Sequence, residues 1–168
     1  MVAMNIKRIL KHLIMTHWQV NRAFPRQTLL AIEKSIKASE TAHVGEIRFA
    51  VEGALDSAAL LNGQSARARA IDVFSHLRVW DTEYNGGVLI YLLLADRRVE
   101  IVADRGIHAK VETREWVNVC RKMETAFKQS NFESGVVTGI QAVTQHLMKH
   151  FPAASAGRNE LPDKPMVL

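Results

Sequence analysis

The chain has 168 residues, 48% of them apolar and 23% charged, which suits one globular domain with a single core. No apolar run is long enough to span a membrane, and basic residues interrupt the first apolar segment where a secretory signal needs continuity; a soluble, cytoplasmic protein is therefore expected. The net charge is +5, yet residues 1–38 carry Lys7, Arg8, Lys11, Arg22, Arg26, Lys34 and Lys37 against Glu33 alone, so the body is near neutral and offers no basic nucleic-acid surface.

Residues 4–20 read as one amphipathic helix. Ile6, Ile9, Leu10, Leu13 and Ile14 recur at helical spacing, with Lys7, Arg8, Lys11 and His12 on the other side. Such a helix docks on the domain by its apolar stripe and leaves its basic face in water. The alternative is that Lys7, Arg8 and Lys11 meet an anionic membrane surface or an acidic partner. Pro25 opens a second helix, to about Ala42, with Leu29, Ile32 and Ile36 inward. Gly45 ends it, and Glu46 to Glu52 alternates as a strand. A loop over 53–63 precedes a helix from Ser65 to Leu77, whose inner face is Ala70, Ile71, Phe74 and Leu77. The acidic stretch Trp80 to Tyr84 leads into a hairpin. Its first strand, Gly87 to Ala95, is apolar almost throughout; Asp96 and Arg97 form the turn; Arg98 to Ala103 alternates.

Two helices close the domain. Glu112 to Lys128 carries the stripe Trp116, Val119, Cys120, Met123 and Phe127, which makes the single cysteine an inert core thiol. Glu133 to His150 turns Val136, Ile140, Val143 and Leu147 inward, and His146 and His150 read as residues of a solvated helix end rather than a zinc pair, since no third ligand follows. Residues 153–168 lack periodicity and are expected to be disordered. The organisation is a basic N-terminal helix over 1–24, an α/β domain over 25–152 and a tail over 153–168. A strand-helix-strand crossover makes two parallel strands, and the hairpin adds an antiparallel one: a three-layer α/β/α sandwich with a small mixed sheet.

This topology sorts the polar groups. His43, Glu46, Asp81, Glu83, Asn85, Asp104 and Arg105 fall at one end of the sheet, and Glu52, Asp56, Asp96, Arg97 and Arg98 at the other. Carboxylates with an Asn amide and backbone carbonyls suit a hard cation, calcium or magnesium. The metal candidates are Asp81, Glu83, Asn85 and Asp104, with His43 and Glu46 as secondary ones; the bland reading of the acidic loop is turn and cap chemistry. Arg105, Asp96 and Arg97 are candidate phosphate or polar contacts. No P-loop, dinucleotide fingerprint, serine elbow or zinc knuckle occurs in the chain.

The segment NGGVLIYLLLADRRVEIVADRGI, from Asn85 to Ile107, resembles the core of TPM domains, and Phe127 to Ile140 resembles their aromatic-glycine stretch before the last helix. The likeness runs from about Gly45 to Leu147. It implies an α/β/α sandwich. Plant members of the family are associated with acid phosphatase activity and photosystem II repair, and some bacterial members bind divalent metal. Many resemble envelope proteins with a signal peptide and a membrane helix; this chain is expected to carry neither and resembles a soluble bacterial branch. Asp104 stands where many members have Gly, and the positions matching the hairpin motif are Asp81, Asn85, Asp96 and Arg97. The function expected is a domain binding a divalent cation and a protein partner at a membrane surface; the alternative is a metal-dependent phosphatase acting on phosphomonoesters.

Overall fold

A computed structural model describes residues 6–153 and 158–168. The helices are α1 (Ile6–Ile14), α2 (His17–Ala23), α3 (Arg26–Ser39), α4 (Ser57–Leu61), α5 (Ala66–His76), α6 (Arg105–His108), α7 (Thr113–Lys128) and α8 (Phe132–His150). The strands are β1 (Glu46–Glu52), β2 (Gly87–Leu93), β3 (Arg98–Ala103) and β4 (Met166–Val167), ordered β3-β2-β1-β4 in one sheet. β2 runs parallel to β1 and antiparallel to β3, as a crossover followed by a hairpin requires.

Helices cover both faces of the sheet. Ile47, Phe49 and Val51 of β1 and Val88, Ile90 and Leu92 of β2 pack with residues of α2, α3, α7 and α8. Leu89, Tyr91 and Leu93 point to the other layer, with Leu60 of α4 and Ala70, Val73 and Phe74 of α5. β2 is buried along its whole length, which is why its sequence shows no alternation. No helix among the described residues is long and apolar enough to cross a membrane.

Besides Ile71, expected on the inner face of α5 but exposed there, four expectations need correction. The single helix expected over 4–20 is two helices in the described residues, and residues 4 and 5 lie outside them. Thr16 and Gln19 form a reciprocal capping box, which starts α2 afresh and leaves Met15 and Thr16 between helices. α1 is also turned over: His12 is its buried residue, while Ile6, Leu10, Leu13 and Ile14 are exposed. The loop over 53–63 contains α4, whose cap is the Asp56 side chain accepting from the Ala59 N–H at 2.8 Å.

The fourth concerns the tail expected to be disordered over 153–168: residues 158–168 pack on β1, and residues 154–157 lie outside the described residues. β1 carries Glu46 and Arg48 on its second face, both buried, so both need partners. The tail supplies them. Glu46 accepts the backbone N–H groups of Glu160 and Leu161 at 3.1 and 3.3 Å, and the Arg48 guanidinium donates to the carbonyls of Pro162 and Lys164. Leu161 is buried, and β4 pairs in parallel with β1, Ala50 against Met166 and Val51 against Val167.

Candidate functional site

The open end of the hairpin is built by close backbone approach. A Cβ on Gly87 would lie 1.9 Å from the Val79 carbonyl oxygen, so only glycine lets the loop after α5 cross the start of β2. A Cβ on Gly106 would lie 2.6 Å from the Asn85 carbonyl oxygen and 2.9 Å from that of Tyr84. Asn85 takes φ 49°, a left-handed conformation that Asn tolerates better than most residues. The Asp104 N–H donates to the Gly87 carbonyl at 2.8 Å, so residues 104–106 are pinned against residues 84–87.

Asp104 is the buried carboxylate of this end. Its Oδ1 accepts the Arg105 N–H at 2.7 Å and caps α6; its Oδ2 is buried without a hydrogen-bond partner. An ionised oxygen in that state is out of balance unless a cation or water reaches it. Carboxylate and backbone-carbonyl oxygens are the donors a hard cation takes, and the Tyr84 and Asn85 carbonyls lie against Gly106, two residues beyond Asp104. The rest of the expected ligand set does not gather there. Asp81 is exposed and pairs with Arg78 at 2.8 Å, and Glu83 is exposed, its backbone N–H bound to the Glu160 carboxylate. Among the described residues no group of three or more His, Cys, Asp or Glu side chains is placed to hold a metal. Arg105 lies exposed in the first turn of α6.

His43 and Glu46 serve other ends. The His43 ring is buried, with Nδ1 donating to the Gly45 carbonyl at 2.9 Å, which leaves Nε2 unprotonated and without a partner. Burial lowers its pKa, against the pull of that hydrogen bond. Glu46 clamps the tail; burial raises its pKa although the two backbone N–H groups oppose this. Glu40 completes an acidic knot that sequence reasoning missed. Burial first, then the Glu46 and Asp163 carboxylates, push the Glu40 pKa up to about 9, so it stays protonated at neutral pH. Glu40 and Asp163 lie more than a hundred residues apart in sequence, so the contact has no local signal.

The other end of the sheet has a different task. Asp96 accepts from Arg8 Nε at 2.9 Å and meets His12 Nε2 at 3.0 Å, while His12 Nδ1 accepts the Leu55 N–H at 3.0 Å. Asp96, expected as a phosphate or polar contact, makes its polar contacts within the chain and anchors α1. Arg97, at φ 49°, is exposed and lines an open groove of about 720 Å³ with Trp18 and Arg22, far from Asp104. A second buried polar cluster, also missed, joins Glu52, Arg69 and Tyr91. Arg69 forks onto Glu52 at 2.8 and 3.0 Å, and the buried Tyr91 hydroxyl donates to Glu52 Oε2 at 2.6 Å. The hydroxyl amid the apolar run of β2 was its one sequence signal. Burial and then the Glu52 bond raise the Tyr91 pKa, so it is a structural donor. The Cys120 thiol is pushed up to about 12, chiefly by burial, which disfavours the thiolate form.

A family model described as the TPM domain matches residues 21–146. The NMR structure of the BA42 protein from the psychrophilic bacterium Bizionia argentinensis is 31% identical, with a TM-score of 0.74, covering 84% of this chain and 93% of that one. The solution structure of an N-terminal domain of a protein from P. gingivalis is 20% identical, with a TM-score of 0.55, covering 70% of this chain and 74% of that one; it shares the fold. No curated protein matches the chain.

Proposed function

The chain belongs to the TPM domain family, and from that premise we propose that it is a binding domain whose divalent-cation site centres on Asp104 and whose cation-ordered loop receives a protein partner. The observation that carries this reading is the buried, unpartnered Asp104 Oδ2 on the stretch pinned against the Tyr84 and Asn85 carbonyls. Calcium or magnesium bound there would neutralise the carboxylate and tie the 84–87 segment to α6. Asp81 and Glu83, on the same loop, supply outer negative charge. The loop also exposes Trp80 and Tyr84, the amphipathic aromatics that protein interfaces favour as anchors. Arg105, beside Asp104 and exposed, is the basic side chain that would serve the phosphomonoesterase alternative by steadying a phosphate.

Calorimetry with calcium and with magnesium tests the reading. The wild-type chain is expected to bind one of them, Asp104→Asn to lose most of that affinity while keeping the α6 cap, and Asp81→Ala to weaken binding modestly. Equal affinity in wild type and Asp104→Asn would refute the site. Activity on p-nitrophenyl phosphate that disappears in Asp104→Asn would favour the hydrolytic alternative.

A further inference from the structure

A surface helix normally buries its apolar stripe. α1 does the reverse. It is held by its polar side, through Arg8 and His12 on Asp96 and through the Leu55 N–H on His12. At about 100° per residue, Leu13, Ile6, Leu10 and Ile14 share the opposite arc, and Lys7 and Lys11 continue its edge. The arc is open: Ile6 is 64% exposed, Leu10 55%, Leu13 63% and Ile14 66%, and Trp18 of α2 adds an indole 65% exposed. Single exposed apolar residues are ordinary, but a run of large ones on one helix face marks a contact surface.

We infer that this face, Ile6, Leu10, Leu13, Ile14 and Trp18 rimmed by Lys7, Lys11 and Arg22, docks flat on an anionic lipid bilayer. Charge selects this occupant. Residues 1–32 contain no Asp or Glu, and Lys7, Lys11 and Arg22 are all exposed around the arc. Arg97 adds a further positive charge across the groove that Trp18 and Arg22 line. A second copy of the chain would bring two basic, acid-free helices face to face, which like-charge repulsion opposes. An anionic bilayer offers the two things the face needs, apolar depth for the arc and negative headgroups for its rim, with the indole at the depth tryptophan favours. The anchor on Asp96 and Leu55 holds the arc outward before any membrane is met, so no refolding of α1 is required. This surface is at the opposite end of the sheet from Asp104 and does not depend on the cation site.

Vesicle flotation with the full chain tests the inference. The probes are vesicles of phosphatidylcholine and phosphatidylglycerol in equal parts, and of phosphatidylcholine alone. Wild type should float with the anionic vesicles, and raised salt should release it. Leu10→Asp combined with Leu13→Asp, both at exposed positions, should weaken binding by about tenfold or more. Lys7→Glu combined with Lys11→Glu should weaken it by at least roughly fivefold per lysine. Quenching of tryptophan emission by brominated lipid should fall sharply in Trp18→Phe. Absence of wild-type binding, undiminished binding by the double aspartate variant, or equal binding to neutral vesicles would overturn the inference. So would a wild-type dimer in sedimentation equilibrium that the aspartate variant dissociates, because the face would then belong to a second copy.

Discussion

His12→Ala should release α1 while leaving the rest of the domain folded. The imidazole bridges two partners, the Asp96 carboxylate and the Leu55 N–H. Nε2 meets Asp96 at 3.0 Å, and Nδ1 accepts the Leu55 N–H at 3.0 Å. Losing a hydrogen bond to a charged acceptor costs about 1.5–3 kcal/mol, and stranding the buried Leu55 N–H adds about 1–3 kcal/mol. Little opposes this loss. Ile9 is only half-buried, the other apolar side chains of α1 face outward, and a helix of nine residues does not stand alone in water. Arg8 keeps its bond to Asp96, but a partly exposed ion pair contributes about 1 kcal/mol or less. The assay is amide hydrogen exchange. Residues 6–14 should exchange as an unstructured chain in His12→Ala, with protection in 88–93 unchanged. Leu10→Ala is the control and should leave α1 as protected as in wild type. Release by Leu10→Ala with retention in His12→Ala would refute the argument, because the apolar face would then be the one that docks.

The other predictions concern buried groups. Glu40 holds its proton in the folded state up to about 9, against an ordinary value of 4.5, so its stabilising contribution is complete below 4.5 and is lost as pH rises through about 9. Glu40→Gln should therefore flatten the fall in urea midpoint over that window and stabilise the protein at its alkaline end; an unchanged pH profile would show that Glu40 is not the titrating group. Tyr91→Phe should cost about 1.5–3 kcal/mol in denaturant titration. Glu52→Ala should cost more, about 3–5 kcal/mol, since it strands both the Tyr91 hydroxyl and Arg69; the reverse order would contradict the cluster as described. Gly87→Ala forces a methyl group onto the Val79 carbonyl and should lower stability by about 3 kcal/mol or leave the protein unfolded on expression.

The central sheet was legible because local pattern and global topology agree there. β1 and β3 occupy the residues their alternation indicates, and the apolar run of β2 reads as a strand covered on both faces. The turning-over of α1 was not legible. Its sequence has a conventional apolar stripe, and the bonds that invert it join His12 to Asp96 and Leu55, partners that no periodicity identifies. The tail escaped for a related reason. Its short apolar content suggests disorder, yet its backbone satisfies the buried Glu46 and Arg48 of β1, a demand visible only once both faces of β1 are known to be covered. The candidate site was partly legible. Topology places Asp81, Glu83, Asn85 and Asp104 at one end of the sheet, but it cannot tell the exposed Asp81, paired with Arg78, from the buried and unpartnered Asp104.

Amide shift mapping during titration with calcium or magnesium reads out whether a cation binds at Asp104. Saturable shifts confined to Tyr84–Gly87 and Asp104–Ile107, and absent in Asp104→Asn, are expected. Shifts centred instead on Glu40, Glu46 and the tail, or an unchanged spectrum at millimolar cation, would contradict a site at Asp104.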